Sequence, residues 1–103
     1  MTAIRVTGTV STSRNYTGLH GVAVHELVLI QHDEALPTLV RREFDASPAS
    51  HLIAQRLANQ YRPGHRATAT ASGWRFNAKR HMLELIAPDH CEHAPALEAE
   101  AHA

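Results

Sequence analysis

An all-β barrel of five short strands, with one short helix between strands three and four, is the fold class the sequence predicts. Three observations carry that expectation. Short segments of β-rich, alternating residues recur along the chain. A single helix signature interrupts them, opening at Ser47-Pro48 and closing at Pro63-Gly64. A final pair of strand-like segments, His65–Ser72 and Met82–Ala87, flanks a cationic loop in the manner of a hairpin.

Each element has its own justification. Ile4, Val6 and Val10 alternate with Arg5, Thr7 and Thr9, which is strand periodicity, and Gly8 marks a bend or bulge. Ser11 to Gly21 is polar and reads as a loop. Val22 to Ile30 is β-rich, but Val22 and Val24 share one parity while Leu27 and Leu29 share the other, so a bulge near His25-Glu26 is expected. Thr38 to Asp45 is a third strand with Val40 and Phe44 on one face, and Arg42 interrupts that face. Ser47 supplies a hydroxyl N-cap and Pro48 the first helical position. Leu52, Ile53, Leu57 and Tyr61 follow at helical spacing, so Leu52, Ile53 and Leu57 are expected to plug one end of the barrel. The order strand, strand, strand, helix, strand, strand is that of the oligonucleotide/oligosaccharide-binding fold, whose closure leaves few open edges. The rival arrangement is an open α+β sheet with the helix on one face.

The 103 residues suit one domain, taken as residues 1–90, followed by a flexible acidic tail at 91–103. Ten basic and ten acidic residues cancel, but not evenly: residues 1–88 hold all ten bases and six acids, and residues 89–103 hold four acids and no base. The start, Met1 to Val6, lacks a signal-peptide pattern, and no apolar run approaches membrane-spanning length. The lone Cys91 excludes an intrachain disulfide framework. A cytoplasmic protein is the simplest expectation.

The charge distribution points to a ligand class. From Ala46 through Leu83 there is no Asp or Glu, yet Arg56, Arg62, Arg66, Arg75, Lys79 and Arg80 all fall there. An acid-free basic arm attracts phosphates, and Trp74 and Phe76 can stack on bases without regard to sequence. In an extended segment both rings face one way and Arg75 the other. Arg14 and Tyr16 in the first loop form a second phosphate and stacking pair. The alternative for each ring is burial: Trp74 against the barrel wall, Phe76 in a subunit interface, Tyr16 over the core rim. Arg41 and Arg42 lie on the third strand beside Glu43 and Asp45, where cross-strand ion pairs are the alternative.

Four pieces of the chain together resemble bacterial single-stranded-DNA-binding proteins and their relative, primosomal replication protein N. Val6-Thr7-Gly8-Thr9-Val10 is similar to the first strand of those families. Tyr16-Thr17-Gly18 before Val22–Ile30 resembles their loop and second strand. Leu52–Leu57 running to Arg62-Pro63-Gly64 resembles the helix that ends in glycine. Ser72-Gly73-Trp74 through Met82–Leu85 resembles the last loop and strand. The chain departs from them in holding five aromatic residues in all and in lacking an acidic tail that ends in Pro-Phe. The resemblance implies a homo-oligomer, with a dimer favoured, that binds single-stranded DNA, or alternatively RNA, without sequence preference. Its implied role is that of an accessory factor in replication, restart or conjugative transfer.

Other chemistries have little to stand on. Asp89-His90-Cys91-Glu92-His93 has zinc-type donors, but adjacent donors seldom converge on one ion, so neither a metal nor another cofactor is expected. The serines lack a nucleophile-elbow motif and no Gly-rich phosphate loop occurs, so an enzyme is not expected. The competing non-enzymatic reading is a protein-interaction or structural module that assembles with itself and binds no nucleic acid.

Overall fold

The structure, a computed structural model, describes residues 3–95. Seven strands form one mixed sheet: β1 (Ile4–Thr17), β2 (Ala23–Ile30), β3 (Thr38–Glu43), β4 (Arg66–Ala71), β5 (Gly73–Asn77), β6 (Met82–Ile86) and β7 (His90–His93). One helix, α1 (Pro48–Gln60), lies between β3 and β4, as the sequence predicts. The hydrogen-bonded order is β5-β6-β3-β2-β1-β4-β7, which leaves the sheet open at β5 and β7. All pairings are antiparallel except the short parallel contact between β3 and β6, at Thr38↔Leu83 and Leu39↔Glu84. Among the described residues no helix is long and apolar enough to cross a membrane.

β1 is longer than its alternation suggests, because Ser11 to Thr17 continues the strand instead of forming a loop. Its first half pairs with β4 and its second half with β2, so one bent strand serves two neighbours. The register shift expected in β2 falls in β1 instead, between Val10 and Thr12. β2 runs without interruption and is buried from Ala23 to Leu29. A central strand covered on both faces has no need of a single apolar parity. His25, Leu27 and Leu29 face the core, and Val24, Glu26 and Val28 face the other side. Gly8 is held in regular register opposite Ala67, and its role is close approach: a Cβ there would meet the Ile30 carbonyl oxygen at 2.7 Å.

The core gathers Val10, Leu27, Leu29, Val40, Tyr61, Ala67, Ala69, Ala71 and Leu85. Three of these core residues are the small alanines of β4. α1 starts where Ser47 Oγ accepts the Ser50 amide at 3.1 Å. Its sheet-facing stripe is Ser50, Ala54, Leu57, Ala58 and Tyr61. Leu52 and Ile53, expected to plug the barrel, are both 46 % exposed, because the small stripe already fills the helix–sheet contact. Tyr61, just past the helix, donates its hydroxyl to the Cys91 carbonyl at 2.8 Å. This bond helps hold β7 against the domain, so Cys91–His93, expected in the tail, belong to a strand. The acidic positions Glu98 and Glu100 lie outside the described residues.

The final hairpin also differs from the expectation. The partner of β6 is Gly73–Asn77, expected as a loop, and not His65–Ser72. Trp-Arg-Phe is a β-prone alternation, and it extends the arm until Asn77 Oδ1 accepts the Arg80 amide in the Ala78–His81 turn. Only Ser72 separates β4 from β5, and its amide and hydroxyl both donate to the Ile86 carbonyl at 3.1 Å.

Two stability outcomes follow from this packing. Gly8→Ala should cost about 1–3 kcal/mol in urea unfolding, since the methyl group meets backbone that cannot turn aside; an unchanged midpoint would show that β1 gives way. His25 is fully buried, and burial first, then the Arg42 charge, lowers its imidazole from 6.5 to about 4. The unfolded chain therefore takes up this proton first, and stability should fall as pH drops from about 6.5 to about 4, in total by on the order of 3 kcal/mol. His25→Phe should remove that part of the pH slope. Parallel unfolding curves for the two proteins across this interval would contradict the assignment.

Candidate nucleic-acid interface

The outer face of the sheet carries a row of alternating charge, set by strand register. Arg14 on β1 stands opposite Glu26 on β2, which stands opposite Arg41 on β3. One row further along, Glu84 on β6 lies between Leu39 on β3 and Arg75 on β5. A side chain two residues along the same strand keeps the same face, so these groups share one surface.

Glu26 is the centre of that surface. Its side chain is only 2 % exposed. Oε1 accepts from Arg14 Nε at 3.0 Å and from Arg80 Nη1 at 2.8 Å, and Oε2 accepts from the Tyr16 hydroxyl at 3.0 Å. Burial alone would raise its pKa, but the bonds from Arg80, Arg14 and Tyr16 outweigh burial and hold the carboxyl below the ordinary range. The Tyr16 hydroxyl is pushed up, by burial and by the same carboxylate. Arg80 comes from the turn of the β5–β6 arm, so this contact folds the arm back over β2. Glu84 plays the second part: Arg75 Nη2 donates to Oε2 at 3.0 Å and Asn77 Nδ2 to Oε1 at 2.9 Å. It too sits below the ordinary carboxylate range, with burial opposing and the Asn77 and Arg75 bonds prevailing.

The basic stretch expected to be free of acids is therefore met in space by Glu26 from β2 and by Glu84 from the arm's own second strand. Arg14, Arg75 and Arg80 are all ion-paired. They are not sealed, however. The Arg14 and Arg75 side chains remain 59 % and 63 % exposed, because each carboxylate takes one edge of a guanidinium. Arg14 also lies 4.8 Å over the Tyr16 ring, which is half-buried. Lys79 is exposed in the turn and forms no ion pair among the described residues. On this face four cations, Arg14, Arg41, Arg75 and Arg80, stand against three carboxylates, Glu26, Glu43 and Glu84, and Lys79 lies in the adjoining turn.

Trp74 and Phe76 project from the opposite face of β5, as alternation requires. Burial against the barrel wall is not their environment: Trp74 is 57 % exposed and Phe76 49 % exposed. Trp74 borders a mainly apolar groove of about 430 Å³ with Ile4, Val6, Thr38, Leu83 and Leu85, which Gln31 and Glu34 also line. Phe76 meets His81 edge-on at 5.6 Å. Arg66 lies apart from both groups, beside Thr7 and His32, and donates to the Pro95 carbonyl at 3.0 Å.

The structure thus brings Arg14, Tyr16, Arg75 and Arg80 together, puts Trp74 and Phe76 across the arm from them, and leaves Arg66 elsewhere. Sequence reasoning did not single out Glu26 and Glu84. The available signal was a carboxylate in the middle of each of two apolar strand runs, which only a cation from another strand can satisfy. At β7, alternation divides the candidate metal donors: His90 and Glu92 share one side, while Cys91 packs against the core and His93 stacks on Tyr61 at 4.6 Å.

No protein-family model matches the chain, and no curated protein matches it.

Replacing Glu26 with Gln keeps the shape and removes the charge that both arginines share. Glu26→Gln should lower unfolding stability by about 1–3 kcal/mol at neutral pH, whereas Arg14→Ala, on the exposed side, should cost under about 1 kcal/mol. Urea unfolding of the two variants checks the order, and a larger loss for Arg14→Ala would remove Glu26 from its central place.

Proposed function

We propose that this chain is a single-stranded-DNA-binding module without sequence preference. It acts as a cytoplasmic homodimeric accessory factor in replication, restart or conjugative transfer, and is not an enzyme. The observation that carries this reading is the β5–β6 arm, which offers exposed Trp74 and Phe76 on one face and exposed Arg75 on the other, with Lys79 and Arg80 in its turn. Large rings left in water at the edge of a groove gain from stacking, and bases supply flat partners of any sequence. The excess of cations on the adjoining face supports a polyanion as the ligand.

The fold reading that accompanies this function is an oligonucleotide/oligosaccharide-binding barrel. Its support is the near-continuity of β4 and β5 across Ser72, read as one bent strand, together with the parallel contact of β3 and β6. On that reading the two ends of the sheet are joined through the chain itself, with β7 as an appended strand. The carboxylates Glu26 and Glu84 then act as competitors for the phosphates, which suits weak, salt-sensitive binding over tight capture. The apolar groove beside Trp74 favours a second reading, a protein-interaction module that uses the same arm.

Polarisation of a labelled oligo-dT separates the two. Affinity should fall steeply between about 50 and 200 mM salt. Trp74→Ala should weaken binding by about fivefold to a hundredfold without unfolding the chain, and Glu26→Gln should strengthen it. No binding at the lowest salt, together with loss of self-association in Trp74→Ala, would favour the interaction module.

A further inference from the structure

β3 and β6 pair over only two residues each and then diverge. A cavity of about 440 Å³ opens between them, walled by Arg41–Phe44 on one side and by Glu84–Asp89 on the other, with Arg75 at its edge. Of the three guanidinium groups there, two are already matched: Arg41 pairs with Glu43 at 3.6 Å and Arg75 with Glu84 at 3.0 Å. Arg42 has no carboxylate partner among the described residues.

Its surroundings sharpen the problem. Arg42 Nε and Nη2 are buried and have no acceptor. The Phe44 ring lies 5.9 Å below the guanidinium and offers a π face but no counter-charge. The cross-strand neighbour is His25, whose two ring nitrogens are also buried without partners and whose imidazole is neutral near pH 7. Cys91 is half-buried, and burial pushes its thiol up, so it too stays uncharged. A half-buried cation with neither a counter-ion nor a full set of acceptors is costly, and an anion is the group that relieves it.

We propose that this cavity is a phosphate-binding site in which Arg42 receives one phosphate group, with the paired Arg41 and Arg75 at its rim. It deepens the single-strand reading and rests on it in one respect: when a strand is bound, the phosphate is one of its backbone groups. Nε and Nη2 are out of reach of solvent, so the guanidinium must swing toward the cavity, where its planar N–H edge suits two oxygens of a tetrahedral oxyanion. Glu43, Glu84 and Asp89 also line the cavity and oppose an anion, which makes the site one of modest affinity; Asp89 forms no ion pair among the described residues and gives a second handle for testing.

The test titrates the full chain with inorganic phosphate and, separately, with oligo-dT. The readout is the Arg42 Nε–H resonance in nitrogen-15 NMR. Phosphate should shift that resonance, and Asp89→Asn should tighten phosphate binding. Arg42→Met should abolish the phosphate response and weaken oligo-dT binding about tenfold or more. Removing an unpaired, half-buried charge does not by itself threaten folding, so Arg42→Met should unfold at or above the wild-type urea concentration. A phosphate response without oligo-dT binding upholds the site and rejects the single-strand reading. Oligo-dT binding that is equal in wild type and Arg42→Met, with an unmoved Arg42 resonance in phosphate, overturns the site and leaves the strand reading intact.

Discussion

The carboxylate of Glu26 is the constraint on which the charged face of this molecule turns. It sits in the middle of the most buried strand, yet it faces away from the core toward cations from two other segments. A buried carboxylate cannot stay charged without partners, and here Arg14, Arg80 and Tyr16 supply them. Arg80 is the partner with the longest reach, since it belongs to the turn of a projecting arm. Through it, a single charge on β2 orients the arm that carries Trp74 and Phe76. Such a pair contributes modestly to net stability, but it selects one geometry over others because either partner alone is expensive.

The same arrangement limits how basic the surface can be. A row of arginines with no acids between them would repel itself and invite any polyanion. Interleaving Glu26 and Glu84 lets the arginines crowd together while more than half of the Arg14 and Arg75 side chains stays in water. On the proposed reading, a phosphate entering this face would meet guanidinium edges already held in place and would compete with a carboxylate for them. Ordering of long side chains is then largely complete before a ligand arrives, which reduces the entropic cost of binding. The core-facing side solves a different problem. There His25 stays neutral beside Arg42, and the aromatic ring of Tyr61 joins the helix end to β7.

Much of the backbone plan was legible from residues alone. Ser47-Pro48 located the helix start, and Pro63-Gly64 closed the segment that follows it, because capping chemistry is local. The alternation around Val6 and Val40 located two strands for the same reason. The misplacements came where burial is decided by partners. The mixed parity of β2 looked like a bulge, but it marks a strand covered on both faces. Ser11 to Thr17 looked like a loop because its polar residues face solvent and the charged row, not because the chain turns there. Gly73–Asn77 looked like a loop because of its charge and glycine, although Trp-x-Phe already carried strand periodicity.

Composition and spacing by themselves determined a mostly-β chain with one capped helix, and a projecting arm on which Trp74 and Phe76 share a face opposite Arg75. These are matters of period and local hydrogen bonding, which neighbours in sequence settle among themselves. Only the tertiary structure decided that the acid-free stretch would not be free of acids in space. It brought Glu26 across from β2 and Glu84 across from β6, and it left Arg42 without an equivalent partner. Charge pairing depends on register between strands, and one linear sequence does not display that register until the strands have met.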